Sequence, residues 1–386
     1  MIVTSPHSIR ASVLLPPSKS ISNRAVVIQA LCTTPCHLAH LSVCDDTCIL
    51  RQALDGHSSC IDVKDAGTAM RFLTAVLAMR PGQWRLTGSS RMKKRPISPL
   101  VEALRQMGAD IHYEEQQGFP PLRMEGKILH GGNITLTGDV SSQFVSALLL
   151  IAPLLSDSLT VELQGDIVSR PYIDLTLSLM NYFGAEAGWV SGYTMQVHPH
   201  PYQGRTLEVE GDWTAASYWY EMMALHPDAQ VQLPNLSPDS MQGDRIVADW
   251  FRQLQSSHHV ETDMAACPDL VPACAVACAL KGIPFRFTGI GNLRWKETDR
   301  INALQTELRK WGFVLKDTQH TLYWDGERCM SSDEPIDTWN DHRIAMAFAV
   351  ASAARGTVRL IHPEVVTKSY PSFWEDLRNV GFQVEE

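Results

Sequence analysis

Two alternating sets of helices are predicted by the distribution of apolar positions along the chain. The first set is amphipathic, usually closes on Gly, and leads into a short strand-like run, as where residues 100–108 precede 109–113. Comparable helices occupy residues 175–184, 301–312 and 373–381, with weaker copies at 50–56 and, without a closing Gly, at 246–254. Because Gly has no Cβ, it adopts the left-handed backbone beyond a helix end at the least cost. We therefore expect solvent-facing helices that end near residues 56, 108, 184, 255, 312 and 381.

The second set of helices is apolar on most faces and is predicted to be buried. Its members lie at residues 68–78, 142–155, 215–225, 270–280 and 342–354. One buried helix, one exposed helix and short strands, repeated six times, form an internal-repeat architecture. The pattern predicts an α/β fold with two lobes of three repeat units each. We expect each lobe to have a helical core with sheets outside, and the ligand to bind in the cleft between the lobes.

Composition limits the classes of protein that the chain can belong to. Its 386 residues exceed what one ordinary core accommodates, and a net charge of −9 argues against binding nucleic acid by bulk charge. The nine cysteines include no C-x-x-C pair, so we expect neither a zinc site nor another metal, and a reducing compartment. The longest apolar run, 144–155, is shorter than the ~20 residues that span a bilayer. No signal pattern opens the chain, so the expected location is the cytoplasm.

The segment 296–300, Lys-Glu-Thr-Asp-Arg, places four charges at the start of a periodic helix. The helix dipole and the free N–H groups favour anions there, and Lys296 and Arg300 would add positive charge. We expect Thr298 to cap the helix and Asp299 to hold Arg300. An alternative interpretation is a solvated helix start with one or two ion pairs.

Other predicted helices also begin with polar or charged side chains. They include 18–24 (Ser-Lys-Ser-Ile-Ser-Asn-Arg), 65–71 (Asp-Ala-Gly-Thr-Ala-Met-Arg), 91–96, 141–143, 169–172, 268–270, 340–343 (Asn-Asp-His-Arg) and 368–371. Capping or a solvated face could explain each one alone. Caps, however, favour Ser, Thr, Asp and Asn, whereas Lys and Arg suit the opposite helix end. The recurrence of cations at helix starts therefore predicts an anionic ligand with more than one charged group.

The segments 18–24, 66–71, 296–300 and 340–343 together resemble the 5-enolpyruvylshikimate-3-phosphate synthase family, and the likeness runs from residue 16 to 374. The resemblance implies a two-lobed inside-out α/β barrel of six repeat units, three per lobe, with an active-site cleft between the lobes. Two crossings would join the lobes. The first lobe would contain residues 1–17 and 212–386, and the second residues 18–211.

The family transfers the enolpyruvyl group of phosphoenolpyruvate to the 5-hydroxyl of shikimate 3-phosphate and releases phosphate. The resemblance implies the same substrates here, no cofactor, and a monomer without nucleic-acid or membrane partners. Residues implied to bind shikimate 3-phosphate are Lys19, Ser20, Arg24, Ser141, Ser142, Gln143, Ser169, Tyr172, Asp269, Asn292 and Lys296. Residues implied to bind phosphoenolpyruvate are Lys19, Gly67, Arg95, Gln143, Arg300, Arg343 and Lys368.

The resemblance also implies catalytic roles for a smaller group of residues. Asp269 would orient and deprotonate the 5-hydroxyl, and Glu297, helped by Lys296, would handle the proton at the methylene carbon. Lys19 and His342 complete the implied catalytic group. An acid and a base are needed because carbon 2 becomes electrophilic only as carbon 3 gains a proton.

Two departures from the family pattern affect the first repeat unit of the second lobe. Asp65 stands where the family usually has Asn, and its charge should repel a phosphate unless the side chain turns away. Only 18 residues separate Asp46 from Asp65, so we expect a strand or part of a helix to be missing. Two alternatives remain open: a UDP-N-acetylglucosamine enolpyruvyl transferase, and a non-catalytic anion-binding protein of the same fold.

Overall fold

The computed structural model describes residues 1–385, and the chain forms two compact units. The continuous unit is Pro17–Val209, and the discontinuous unit combines Met1–Pro16 with Glu210–Glu386. The crossings therefore fall one and two residues before the predicted boundaries after residues 17 and 211. The second boundary is earlier because Glu210 and Gly211 bond within the discontinuous unit: Glu210 accepts a hydrogen bond from Gln242, and the Gly211 N–H donates to the Asn235 carbonyl.

Thirteen α-helices occur in the described part of the chain. They are α1 Lys19–Leu31, α2 Asp45–Asp55, α3 Gly67–Met79, α4 Ser98–Gln106, α5 Ser142–Ile151, α6 Arg170–Tyr182, α7 Trp213–Leu225, α8 Val247–Leu254, α9 Val271–Lys281, α10 Arg300–Lys310, α11 His342–Val350, α12 Ser352–Arg355 and α13 Phe373–Asn379. Short 3-10 turns precede or follow several of them.

Twenty short strands alternate with these helices over residues 1–385. They are β1 Ile2–Thr4, β2 Arg10–Ser12, β3 His37–Ala39, β4 Cys60–Asp62, β5 Gln83–Thr87, β6 Asp110–Tyr113, β7 Leu122–Glu125, β8 Gly132–Thr137, β9 Leu159–Gln164, β10 Glu186–Trp189, β11 Thr194–His198, β12 Thr206–Glu208, β13 Gln230–Gln232, β14 Val260–Asp263, β15 Phe285–Thr288, β16 Lys316–Asp317, β17 Leu322–Trp324, β18 Ile336–Asp337, β19 Thr357–Ile361 and β20 Gln383–Glu385.

Three mutually packed helices form the centre of each unit. Helices α1, α3 and α5 contact one another in the continuous unit, as do α7, α9 and α11 in the discontinuous unit. Nearly every residue of α3 and α9 is buried, which confirms the predicted set of apolar helices. Helix α5 is shorter than predicted, because Pro153 lies in the 3-10 turn that follows it and cannot donate the next helical hydrogen bond.

The amphipathic helices end on Gly as predicted, with one exception. Gly108, Gly184, Gly312 and Gly381 have φ angles of 100°, 86°, 86° and 104°, in the left-handed region. Gly56 instead has a φ of −80°, so the prediction of a left-handed cap is wrong there. A Cβ at Gly56 would lie 2.6 Å from the Gln52 carbonyl oxygen, so close backbone contact is what favours Gly at this position.

Four sheets share one strand order: a parallel pair, followed by two strands that each pair antiparallel with their neighbour. The orders are β4-β5-β7-β6, β8-β9-β11-β10, β14-β15-β17-β16 and β18-β19-β1-β20. In the last of these, β1 lies between β19 and β20, which binds the N-terminus to the C-terminal part of the chain. Two smaller sheets each contain one parallel pair, β3 with β12 and β2 with β13.

The amphipathic helices are followed by two kinds of connection. Helices α4, α6 and α10 are each followed by a pair of antiparallel strands, whereas α2 leads directly into β4. The sequence analysis expected a strand or part of a helix to be missing between Asp46 and Asp65, where β4 alone lies between α2 and α3. Helix α8 likewise leads directly into β14, and this direct connection was not predicted.

Three further features of the described residues concern membranes, metal ions and thiols. No helix within residues 1–385 is both long and apolar enough to cross a bilayer. The same residues contain no group of three or more His, Cys, Asp or Glu side chains arranged to hold a metal ion. All nine cysteines are free thiols.

Candidate functional site

Arg300, the first residue of α10, is the centre of a buried charge cluster in the discontinuous unit. Only 1% of its side chain is exposed, and its Nε lies 2.7 Å from Asp341 Oδ2. Its Nη2 and Nη1 donate to Glu297 and Asp269, each over 2.8 Å. Burial alone would lower the pKa of Arg300, but Asp341, Glu297 and Asp269 outweigh burial and raise that pKa. The guanidinium is therefore a permanent cation held by three carboxylates.

Asp269 joins Arg300 to two further cations. Its Oδ2 lies 2.8 Å from Arg343 Nη2, and its Oδ1 lies 3.4 Å from Lys296 Nζ. Burial would raise the pKa of Asp269, but Arg343, Lys296 and Arg300 hold it well below its ordinary value. Burial lowers the pKa of Lys296, partly opposed by Asp269. The pair thus combines a firmly ionised carboxylate with an ammonium that gives up its proton more readily than an exposed lysine.

Glu297 extends the cluster to Lys368. Lys368 ends the 3-10 turn Pro363–Lys368 and is 8% exposed, and its Nζ lies 3.3 Å from Glu297 Oε1. The connected cluster contains the cations Lys296, Arg300, Arg343 and Lys368 and the carboxylates Asp269, Glu297 and Asp341. With four cations and three carboxylates, it carries one excess positive charge. This excess favours a negatively charged ligand.

Two local expectations about the 296–300 segment are wrong. The cap of α10 is Asp299, whose Oδ1 accepts from the Asn302 N–H over 3.1 Å, and Thr298 precedes the cap. Asp299 pairs with Arg294 at 3.2 Å and does not hold Arg300. A carboxylate at the cap position accepts the N–H and also matches the helix dipole. Asp341 takes the role that the sequence analysis gave to Asp299.

Asn292 and His342 lie in the same unit. Asn292 is part of the 3-10 turn Gly291–Trp295 that leads into Lys296. His342 is the first residue of α11 and is 1% exposed, with Nδ1 3.7 Å from Asp341 Oδ1. Both predicted residues therefore flank the charge cluster along the chain.

Lys19 begins α1 in the continuous unit, next to the capping residue Ser18. The Ser18 hydroxyl accepts from the Ile21 N–H, which explains the helix start. Lys19 Nζ lies 3.6 Å from Asp46 Oδ2, at the start of α2. The carboxylate of Asp46 holds this cation near two helix N-termini. Asp46 was not predicted as a site residue.

Arg24, one turn after Ser20, connects α1 to α5 and α6. Its Nε donates to Thr176 Oγ1 over 2.7 Å, and its Nη2 donates to Ser146 Oγ and the Tyr172 carbonyl. Its Nη1 donates to the Ser20 carbonyl over 2.9 Å. Burial lowers the pKa of Arg24 to about 10. Most of its donors are therefore engaged by the protein, which makes Arg24 a structural residue of the three helices; its predicted contact with substrate stays a prediction.

Gly67, the first residue of α3, lies directly against Arg95. A Cβ at Gly67 would stand 2.7 Å from Arg95 Nη1 and 3.0 Å from Nη2, so only Gly leaves the guanidinium in place. Arg95 is 6% exposed. The predicted pair of a glycine and a buried cation is thus brought together at a helix N-terminus.

The start of α5 reaches the start of α3 through Gln143. Gln143 Nε2 donates to Thr68 Oγ1 over 3.3 Å, and the Gln143 N–H donates to the capping residue Ser141. Ser142 is the first residue of α5 and is 8% exposed. Thr68 was not predicted as a site residue, although it lies inside the 66–71 motif that was quoted.

The residue before α6 has a left-handed backbone. Ser169 precedes α6 with a left-handed φ of 59°, and the Tyr172 N–H donates to the Ser169 carbonyl over 3.1 Å.

The Asp65 side chain is exposed, and its Oδ1 accepts a hydrogen bond from the Ser89 hydroxyl. The extra carboxylate at position 65 is therefore engaged by Ser89.

The chain matches the model of the family described as EPSP synthase (3-phosphoshikimate 1-carboxyvinyltransferase) over residues 49–377. A 3-phosphoshikimate 1-carboxyvinyltransferase from Bacteroides fragilis is 48% identical over 403 aligned residues, which cover 100% of this chain and 98% of that protein. Another, from Hamiltonella defensa, is 35% identical and covers 96% of each chain.

Solved structures agree at the level of fold. An EPSP synthase from Acinetobacter baumannii superposes with a TM-score of 0.79 at 21% identity, covering 100% of this chain and 99% of that one. The enolpyruvyl transferase NikO from Streptomyces tendae gives a TM-score of 0.74 at 15% identity and covers 100% of this chain and 98% of that one. These likenesses establish an α/β fold of helices and sheets. From the family match and the near-complete coverage of relatives up to 48% identical, we conclude that this chain belongs to the EPSP synthase (3-phosphoshikimate 1-carboxyvinyltransferase) family.

Proposed function

We propose that the protein transfers the enolpyruvyl group of phosphoenolpyruvate to the 5-hydroxyl of shikimate 3-phosphate and releases inorganic phosphate, in the shikimate pathway. Family membership supports this reaction. The observation that carries the chemistry is the buried cluster of four cations and three carboxylates around Arg300 and Asp269. It combines positive charge for anionic substrates with carboxylates able to exchange protons.

Each unit contributes residues to the proposed binding of shikimate 3-phosphate. Lys19, Ser20, Arg24, Ser141, Ser142, Gln143, Ser169 and Tyr172 of the continuous unit, and Asp269, Asn292 and Lys296 of the discontinuous unit, form this group. The hydroxyls of Ser141 and Ser142 stand at the start of α5, where N–H groups and the helix dipole favour a phosphate. The hydrogen bond from Gln143 to Thr68 connects the start of α5 to the start of α3.

Phosphoenolpyruvate carries a phosphate and a carboxylate, and the residues proposed for it are cations or lie beside cations. They are Lys19, Gly67, Arg95 and Gln143 in the continuous unit, and Arg300, Arg343 and Lys368 in the discontinuous unit. Buried guanidinium groups bind carboxylates and phosphates through paired, charge-assisted hydrogen bonds. Arg343 pairs with Asp269, and Lys368 pairs with Glu297. Binding of an anionic substrate would therefore replace the anionic partner of each cation by another anion.

The reaction needs a proton at carbon 3 of phosphoenolpyruvate while the 5-hydroxyl oxygen attacks carbon 2. We propose that Lys296, whose pKa is lowered by burial, supports the proton donation, and that Glu297 handles the proton at carbon 3. The oxygen–carbon bond forms as the hydroxyl proton leaves, and a tetrahedral adduct results. Removal of one proton from the new methyl group and loss of phosphate then give the enol ether. Fixed cations stabilise the adduct without reorganising.

Asp269 is proposed to accept the proton of the 5-hydroxyl. In the structure its pKa is well below the ordinary value because Arg343, Lys296 and Arg300 surround it. A carboxylate so strongly stabilised is a good hydrogen-bond acceptor and a weak base. If phosphoenolpyruvate takes Arg343 away from Asp269, the pKa of Asp269 rises and the carboxylate becomes a stronger base. Binding of the second substrate would thus activate the base for the first.

Phosphate release with different acceptors tests the proposal. Phosphoenolpyruvate and shikimate 3-phosphate together should yield inorganic phosphate, whereas UDP-N-acetylglucosamine in place of shikimate 3-phosphate should not. Lys19→Ala should abolish turnover without loss of fold by circular dichroism, and Lys127→Ala, on an exposed lysine of the same unit, should behave as wild type. Release only with the UDP-sugar would favour that transferase, and no release with either acceptor would favour a non-catalytic anion-binding protein.

The finer architecture and the cellular setting are also proposals. We propose the inside-out α/β barrel of six repeat units, supported by the common strand order of four sheets and by the two shorter parallel pairs. We further propose a cytoplasmic monomer without a cofactor. The nine free thiols are consistent with a reducing compartment. Light scattering after size-exclusion chromatography would give the oligomeric state.

A further inference from the structure

Helix α10 carries a second buried carboxylate that the proposed mechanism does not use. Glu307 is 1% exposed and lies seven residues after Arg300. Seven residues make close to two helical turns, so the two side chains project from the same face of α10. A buried carboxylate with this placement must be paired, and its partners indicate what it does.

Glu307 is bonded to the segment that leads into α11. Its Oε1 accepts from Trp339 Nε1 over 2.8 Å, and its Oε2 accepts from the Asp337 N–H over 3.1 Å. Lys310, one turn further along α10, adds its ammonium to Oε2 at 2.7 Å. Two of the three donors to Glu307 thus come from residues 337–339.

The backbone of this segment is conformationally costly. Trp339 and Asn340 have φ angles of 55° and 52°, two consecutive left-handed residues that are not glycine. Such a conformation is unfavourable for residues with a Cβ and persists only where neighbouring contacts enforce it. The Trp339 N–H donates to Asp337 Oδ1 over 2.8 Å, which holds the turn from within, and Glu307 holds it from α10.

The turn determines the position of Asp341 and Arg343. Asp341 directly follows Asn340, its carboxylate receives Arg300 Nε, and its Oδ1 accepts from the Arg343 N–H over 2.9 Å. Arg343 in turn donates to Asp269. Helix α10 therefore bonds to residues 337–341 at two points, through Glu307 to Asp337 and Trp339 and through Arg300 to Asp341.

We propose that Glu307 is a positioning residue for the proposed reaction. By holding Asp337 and Trp339, it maintains the left-handed turn that places Asp341 on Arg300 and Arg343 on Asp269. This inference rests on the proposed function only for its kinetic consequence. Arg300 and Arg343 are assigned to phosphoenolpyruvate. Loss of the hydrogen bonds from Asp337 and Trp339 to Glu307 should therefore impair binding of phosphoenolpyruvate more than binding of shikimate 3-phosphate.

Steady-state kinetics of matched variants test the kinetic consequence. Glu307→Gln and Trp339→Phe each weaken one side of the same contact, and each should raise the KM for phosphoenolpyruvate about tenfold while leaving the KM for shikimate 3-phosphate within about twofold. The double variant should resemble Glu307→Gln alone, because Trp339→Phe removes only a bond that Glu307→Gln already disturbs. Lys310→Gln removes a partner of the same carboxylate without touching the turn, and should stay within about twofold of wild type.

A merely structural role would give a different pattern. It would lower the thermal midpoint while both KM values remained unchanged at a temperature where the variants are folded, and that result would overturn the proposal. A crystal structure of Glu307→Gln gives a readout independent of activity. We expect Trp339 and Asn340 to leave the left-handed region and the Arg300–Asp341 bond to break. An unchanged turn and bond would refute the inference, whereas an inactive wild type would count against the proposed function alone.

Discussion

Replacing Glu221 by Gln should remove a pH-dependent loss of stability from the discontinuous unit. Glu221 lies on the central helix α7, is 0% exposed, and neither of its carboxyl oxygens has a hydrogen-bond partner among the described residues. Burial raises the pKa of Glu221 well above its ordinary value of 4.5. In the folded protein this side chain therefore stays protonated under conditions where the unfolded chain ionises.

The sign and size of the effect follow from proton linkage. Above about pH 4.5 the unfolded chain loses a proton at Glu221 that the folded chain keeps, so the free energy of unfolding falls as pH rises toward the raised folded pKa. Within that window the loss is about 1.4 kcal/mol per pH unit. The amide introduced by Glu221→Gln does not titrate, so this slope should be absent from the variant. The burial cost of an unpaired amide shifts the stability of the variant equally at all pH values and leaves the predicted slope unchanged.

Hydrogen exchange of amides in α7, measured by mass spectrometry at increasing urea, reports the unfolding of this unit. As pH rises from 5 toward the raised folded pKa of Glu221, the stability of Glu221→Gln relative to wild type should increase, by at most about 1.4 kcal/mol per pH unit. Glu334→Gln, on an exposed glutamate of the same unit, should change stability by less than about 0.5 kcal/mol at each pH. Equal pH slopes for wild type and Glu221→Gln would show that the carboxyl is ionised in the fold, and would refute the reasoning.

Three substitutions in the continuous unit give further expected outcomes. Gly67→Ala should raise the KM for phosphoenolpyruvate severalfold in the phosphate-release assay, because the new Cβ would stand 2.7 Å from Arg95 Nη1; an unchanged KM would argue against that role of Arg95. Arg24→Lys should lower the free energy of unfolding by about 2–4 kcal/mol in urea, since the three N–H donors of one ammonium cannot satisfy Thr176, Ser146 and the carbonyls of Tyr172 and Ser20 together; a loss below about 0.5 kcal/mol would contradict this. Asp65→Asn should change the KM for phosphoenolpyruvate by less than about threefold, because Ser89 already engages Asp65, and a tenfold decrease would show that the charge faces the phosphate.

The helices of the fold could be predicted from sequence because their signals are local. The apolar helices α3 and α9, and the glycines at 108, 184, 312 and 381, follow from periodicity and from the backbone freedom of Gly. Gly56 was misassigned because its role is close contact with the Gln52 carbonyl, and that contact leaves no signal distinct from a cap. The direct connection from α8 to β14 was missed for a related reason: where no antiparallel pair intervenes, the sequence shows only a short spacing.

The candidate site could be predicted in its residue types but not in its pairings. Polar and cationic helix starts identified Lys19, Asp269 and Arg300 before any contact was known. Two of the three carboxylate partners of Arg300, Asp269 and Asp341, lie 31 and 41 residues away, and no local rule relates such positions. Asp299 was assigned to Arg300 because it is adjacent in sequence, whereas adjacent helical residues point in different directions and Asp299 caps the helix instead.

These pairings also affect how the cluster would receive an anion. Each of the four cations Lys296, Arg300, Arg343 and Lys368 has a carboxylate partner, so a phosphate or carboxylate that binds there, as we propose, would compete with Asp269 or Glu297. Arg300 is firmly held, because its guanidinium donates four hydrogen bonds to Asp341, Asp269 and Glu297. We therefore infer that Arg343 and Lys368 change partners when the anion binds, while Arg300 keeps Asp341. Departure of Arg343 removes the cation that lowers the pKa of Asp269 most, so capture of the anion and activation of the base become one event.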